Sequence, residues 1–261
     1  MAIEDVLFLP GFMCDERLFA PQTLALKSAG FCCQTGDYGD SASTERMARE
    51  AMRGVSGSVA LVGLSMGAIV ALEIWRQFPK RVTHMALLNG TARADAAGPS
   101  RKSQLRQVVE GGLSTVLRQE LAPRYFAAGH NSEHLTALIA SMGQRLGPEA
   151  FVRQSVALMT RQSQLELLAS ISCPVLVVAG DEDAICPLPR QEEMAAAIQA
   201  AELCVLSPCG HISTLERPER VNAALLRLLS KPADQSSNVR TAVFNRQPSR
   251  KGKGEKQHGY Q

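Results

Sequence analysis

Five short runs, Val6 to Leu9, Ser58 to Val62, Val82 to Leu88, Pro174 to Ala179 and Glu202 to Leu206, alternate along the chain with longer segments of helical period. The runs are aliphatic and continuous rather than alternating with polar residues, which is the pattern of strands buried on both faces. Between them, Ser43 to Val55, Met66 to Phe78, Leu188 to Ala200 and Arg217 to Leu229 carry apolar residues at three and four spacing, as amphipathic or buried helices do. Strand and helix in regular alternation predict an α/β fold, a mostly parallel doubly wound sheet with helices on both faces. A chain of 261 residues with 45% apolar and 20% charged residues is long and apolar enough to bury a substantial core in one such domain.

The alternation is interrupted at about 91–171, where helical segments are separated by Gly111-Gly112, Pro123, Gly129 and Gly147-Pro148. An insertion on the C-terminal side of the strands lies over the place where open parallel sheets bind ligands, so it is expected to act as a lid. The expected organisation is one domain over 1–230 with this helical cap inside it. The remainder, 231–261, has few large apolar residues and is expected to be a disordered basic tail.

Charge follows the same division. From Lys231 onward seven Lys or Arg stand against two Asp or Glu, so of the formal net charge of +3 the tail supplies +5 and the body −2. A near-neutral body has no electrostatic footprint for nucleic acid. Seven cysteines, with no C-x-x-C pair and no zinc spacing, read as reduced thiols of a cytoplasmic protein. Glu4 and Asp5 stand where a signal peptide needs positive charge, and no stretch approaches the roughly 20 apolar residues of a membrane span. His84, His130, His134 and His258 pair with no acid or cysteine at ligand spacing, so neither a metal nor a cofactor is expected, and no P-loop or dinucleotide fingerprint is present.

The most specific signal is Gly63-Leu64-Ser65-Met66-Gly67, a G-x-S-x-G between an expected strand and an expected helix. A serine hydroxyl is a poor nucleophile unless it is held exposed beside a base. A sharp strand-to-helix turn does this, and its flanking glycines let the backbone double back without side-chain collisions. The same turn aims the helix N-terminus and the Met66 amide at developing negative charge. His211, in Cys209-Gly210-His211 after the last strand, is placed to serve as general base. Gly180-Asp181-Glu182-Asp183 offers three carboxylates at the end of another strand, one of which should orient the histidine.

With these residues in the order Ser, Asp, His, the chain resembles the α/β-hydrolase superfamily from about Val6 to Leu229, and within it esterase-type members with a helical cap. The resemblance selects Asp183, which stands three residues after Gly180 and shortly before Pro187, with Asp181 as the alternative. It also implies a second oxyanion donor, the Phe12 N–H in Leu9-Pro10-Gly11-Phe12, although many members have His where this chain has Pro10. Because the strand Val6 to Leu9 lies near the chain start, the family's two leading antiparallel strands are expected to be absent and the expected sheet has about six strands, all parallel.

Serine rather than aspartate at the elbow argues against dehalogenase and epoxide hydrolase chemistry. The expected reaction is hydrolysis of an ester, thioester or lactone of a small, largely apolar molecule through an acyl-enzyme on Ser65. Related alternatives are C–C bond hydrolysis, a cofactor-free lyase reaction or peptidase activity on the same triad; a ligand-binding receptor is the alternative of another class. Arg93, Arg101, Arg106, Arg153 and Arg161 in the insertion could meet a substrate carboxylate, or could equally lie on solvated helix faces. Cys186, Cys209 and Trp75 are read as packing residues.

Overall fold

The computed structural model describes residues 5–94, 99–129, 132–199 and 201–233. The basic tail from 234 onward lies outside the described residues, as do His130 and His258. Six strands, β1 (Asp5–Leu9), β2 (Cys32–Thr35), β3 (Val59–Leu64), β4 (Val82–Leu88), β5 (Val175–Gly180) and β6 (Ala201–Leu206), form one sheet in the order β2-β1-β3-β4-β5-β6. Among the described residues every neighbouring pair is parallel.

β2 is the strand that no hydrophobic run announces. Cys32-Cys33-Gln34-Thr35 pairs only with β1, at the sheet edge, and its outer residues are exposed. An edge strand can be held by its backbone ladder without an apolar run. β3 and β5 are buried along their whole length. Each Leu or Val side chain fully buried there contributes about 1.5–3 kcal/mol, so the central strands hold the sheet together.

The chain moves outward from β1 to β2 and then reverses, running through β3, β4, β5 and β6 toward the other edge. With right-handed crossovers, this reversal places α1 (Ala20–Ser28) on one face and α2 (Thr44–Met52) and α3 (Met66–Gln77) on the other. It also makes the gap between β1 and β3 the topological switch point, where open α/β sheets bind ligands at the carboxyl ends of their strands. α3 is apolar nearly all round, with Met66–Trp75 buried. It is therefore an internal helix, and Trp75 donates its indole N–H to Ser170 Oγ at 3.1 Å within the packing.

Between β4 and β5 the chain builds α4 (Pro99–Val109), α5 (Leu113–Thr115), a π-helical turn (Val116–Leu121), a 3-10 turn (Ala122–Arg124), α6 (Glu133–Thr160) and α7 (Leu165–Leu168). α4 ends before Gly111, and Pro123 sits in the 3-10 turn. At Gly147, with the non-helical φ 83° and ψ 172°, α6 breaks into two helical segments just before Pro148, as the Gly147-Pro148 pair suggested. α8 (Leu188–Ala197) follows β5, and α9 (Ser213–Glu216) and α10 (Pro218–Leu229) follow β6. Among the described residues no helix is long and apolar enough to cross a membrane.

Candidate active site

Ser65 alone makes the turn from β3 into α3, at φ 56° and ψ −113°. A non-glycine residue held there costs about 1–3 kcal/mol and needs its surroundings to enforce it. One restraint is its own N–H, which donates to Leu88 O at the end of β4, at 2.9 Å. The others are steric. A Cβ on Gly63 would lie 2.3 Å from Gly67 O, and one on Gly67 would lie 1.8 Å from Leu9 O. The flanking glycines thus allow α3 to start directly against the end of β1, at the switch point.

The structure brings Ser65, His211 and Asp183 together. Ser65 Oγ lies 2.8 Å from His211 Nε2, and His211 Nδ1 lies 2.9 and 3.0 Å from the two Asp183 oxygens. A carboxylate can only accept, so Nδ1 carries the proton it donates to Asp183, and Nε2 is left with the lone pair that faces the hydroxyl. His211 and Asp183 are buried while Ser65 faces a cavity. Burial pushes the Asp183 carboxyl up. The charge and hydrogen bond of His211, the Cys186 N–H and the Asn89 amide outweigh it and hold the group below the usual carboxylate range.

Of the three candidate carboxylates, Asp183 is therefore the one beside the histidine. Asp181 and Glu182 are exposed, as solvated-turn residues would be, but each also holds a backbone amide. Asp181 Oδ1 accepts from Cys209 N–H at 3.1 Å and Glu182 Oε2 from Ala128 N–H at 2.7 Å. Phe12 and Met66 both line the cavity beside Ser65. Met66 opens α3 and so has no carbonyl one turn back to bond, and among the described residues neither amide donates to a protein acceptor.

Three further residues position this set without having been singled out in the sequence. Asn89, buried at φ 48° just after β4, donates from Nδ2 to Asp183 Oδ2 and to Gly210 O, both at 3.1 Å. Glu216, just before the helical segment expected from Arg217, accepts from Gly210 N–H at 2.9 Å and from Ala127 N–H at 3.0 Å. Tyr125 O accepts from His211 N–H at 2.7 Å, and the Tyr125 ring lies 5.6 Å from the imidazole. The stretch from Tyr125 to Ala128 is thereby tied to both the histidine and the aspartate loops. An Asn directly after a strand end was a readable signal; nothing local distinguished Glu216 or Tyr125.

A cavity of about 260 Å³ opens above Ser65. Ile69 of α3 and Ile185 from the aspartate loop line it, together with Leu121, Leu158 and Met159 from the insertion. Of the arginines marked in the sequence, Arg101 and Arg161 reach this cavity, joined by Arg124. Arg93 pairs with Glu193, Arg153 pairs with Asp40, and Arg106 is exposed. Cys186 lines the cavity, and Cys209 is buried with its thiol pushed up to about 12, chiefly by burial, which leaves it inert. His84 is buried with Nε2 2.9 Å from Lys231 O, and His134 is exposed. Among the described residues no group of His, Cys, Asp or Glu could hold a metal ion.

The same fold recurs in known proteins. An esterase from Thermogutta terrifontis is 28% identical and superposes with a TM-score of 0.76 over 87% of this chain and 89% of its own. The enol-lactonase of Burkholderia xenovorans LB400 is 20% identical with a TM-score of 0.80, covering 88% of this chain and 93% of that one. RutD of Agrobacterium fabrum, whose name provisionally assigns it as a carbamate hydrolase, is 27% identical over 180 residues, 67% of this chain and 68% of its own. A family model for alpha/beta hydrolases matches residues 6–224, from β1 into α10, and the chain belongs to that family.

Proposed function

We propose that the chain is a serine hydrolase that cleaves an ester, thioester or lactone of a small, largely apolar molecule through an acyl-enzyme on Ser65. The observation that carries this reading is the unbroken hydrogen-bonded chain from Ser65 Oγ through the His211 ring to Asp183. Membership in the hydrolase family and the 28% identity to an esterase support it. In this reading 1–230 is the catalytic domain and about 91–171 its cap, which supplies Leu121, Leu158 and Met159 to the apolar lining.

Ser65 Oγ attacks the substrate carbonyl carbon as its proton passes to His211 Nε2. The carbonyl electron pair moves onto oxygen, where Phe12 N–H and Met66 N–H receive it. Asp183 stabilises the imidazolium formed at that moment. When the carbonyl reforms, the C–O or C–S bond to the leaving group breaks and His211 returns the proton to it. Water repeats the sequence: its proton goes to Nε2, its oxygen bonds the acyl carbon, and Ser65 leaves reprotonated.

The test is hydrolysis of p-nitrophenyl acetate and butyrate by the full chain. Turnover that disappears in Ser65→Ala is expected. Turnover that survives in Ser65→Ala would place the nucleophile elsewhere, and fast cleavage of a C–C bond beside slow ester cleavage would replace the ester with a ketone substrate on the same residues.

A further inference from the structure

The cavity above Ser65 is lined by three arginines, Arg101, Arg124 and Arg161, and by no aspartate or glutamate among the described residues. Arg101 differs from the other arginines of the insertion. Arg93, Arg118, Arg145 and Arg153 each sit within salt-bridge distance of a carboxylate, Arg161 donates to the Arg93 carbonyl, and Arg106 and Arg124 are exposed to water. Arg101 has no hydrogen bond or ion pair among the described residues, and its Nη1 is buried without a partner. An Nη1 withdrawn from water with nothing to receive its N–H groups is costly unless a ligand completes it.

Its position is also fixed. The guanidinium carbon stands 4.2 Å from the centroid of the Phe12 ring and 5.9 Å from that of Phe151, and the two rings meet edge to face at 5.1 Å. Stacking occupies a face of the guanidinium and leaves its edge, with the paired N–H groups that match a carboxylate, free to bind. Burial lowers the Arg101 pKa, yet an arginine stays charged at any pH at which the protein is folded. Gln104, buried, and Ser100 line the same cavity and could share the load of an anion.

We propose that Arg101 is the anchor of a carboxylate-binding subsite, so that the substrate is a small ester, thioester or lactone whose body is apolar and whose far end carries a carboxylate. The proposal rests on Ser65 being the nucleophile only for the reaction; the binding step stands on Arg101 alone. Because Phe12 is both the ring beneath Arg101 and the residue whose N–H faces the reacting carbonyl, the bound carboxylate sets the carbonyl's distance from Ser65. A cavity of about 260 Å³ suits a short molecule.

Two ester pairs locate the charge. p-Nitrophenyl hemiglutarate against p-nitrophenyl hexanoate places it on the acyl side; 4-acetoxybenzoate against its methyl ester places it on the leaving group. The proposal expects wild type to favour the charged member of one pair, and Arg101→Met to reduce that kcat/KM ratio by about tenfold or more, with Arg101→Lys reducing it less. Binding of free glutarate to Ser65→Ala, measured by calorimetry and lost in Ser65→Ala/Arg101→Met, checks the subsite without catalysis. Glutarate binding through Arg101 in a chain that hydrolyses no ester would uphold the subsite and sink the nucleophile assignment. Ester turnover through Ser65 with a ratio unchanged in Arg101→Met and no glutarate binding would uphold the nucleophile and overturn the subsite.

Discussion

Glu216 joins two separate parts of the site: one carboxylate oxygen receives the N–H of Gly210, the residue before His211, and the other receives the N–H of Ala127 from the insertion. Hydrogen bonds to a charged group contribute about 1.5–3 kcal/mol each. In Glu216→Gln one oxygen becomes an NH2 facing a backbone N–H, so one bond is lost and a buried amide is left unpaired, at a cost of about 1–3 kcal/mol. The surviving bond falls from charged to neutral strength, which removes about 1 kcal/mol more. The expected loss is therefore about 2–4 kcal/mol. With a urea m-value of about 3 kcal/mol/M, the unfolding midpoint should fall by about 1 M. Release of the Gly210 amide should also lower kcat for p-nitrophenyl acetate more than it raises KM, because the histidine loop is loosened while the cavity wall remains. A midpoint within about 0.2 M of wild type, in protein with unchanged m, would refute the claim that this carboxylate clamps the loop.

Two further perturbations probe the elbow and the acid. In Gly67→Ala the new Cβ would lie 1.8 Å from Leu9 O, so the first turn of α3 or the end of β1 must move; a misplacement of about 1 Å at the nucleophile should lower kcat/KM about 100-fold, and an unchanged rate would show that the turn can relax elsewhere. For Asp183 the native carboxyl titrates below its unfolded value of about 3.9, so the unfolded chain takes up the proton first as pH falls. Its contribution to stability is then complete above about pH 4 and is lost as pH drops through the depressed native value. The gap in urea midpoint between wild type and Asp183→Asn should accordingly stay constant from about pH 7 to pH 5 and narrow as pH falls below about 4, and a gap that stays constant down to about pH 3 would contradict a depressed pKa.

The parts of this molecule that could be read from sequence are those where one local pattern had one physical outcome. Buried central strands must be continuously apolar, so β1, β3, β4 and β5 were visible; β6, half-buried at the other edge, was visible because Leu203 to Leu206 is still an apolar run. The elbow needs glycines two residues either side of Ser65 because Gly67 abuts Leu9 O and Gly63 abuts Gly67 O. β2 and α1 were missed for the converse reason: β2 is a single-sided edge strand of Cys, Gln and Thr, and α1 buries little beyond Gln22 and Leu26. Asp183 needed the resemblance, since Asp181, Glu182 and Asp183 share one loop, and only the three-dimensional path of Ile185 and Cys186 around its Oδ1 separates them. Glu216 and Tyr125 act through backbone groups distant in sequence, which no short pattern encodes. The arginines of the insertion could not be ranked until burial and pairing set Arg101 apart.

The central claim, that Ser65 is activated by His211, is tested most directly by intact-mass measurement after treatment with a fluorophosphonate, which phosphonylates an activated serine whatever the natural substrate. One adduct on wild type, none on Ser65→Ala and markedly slower addition to His211→Ala is the predicted result. A folded wild-type chain that gains no adduct, or a Ser65→Ala chain that gains one as fast as wild type, would contradict it.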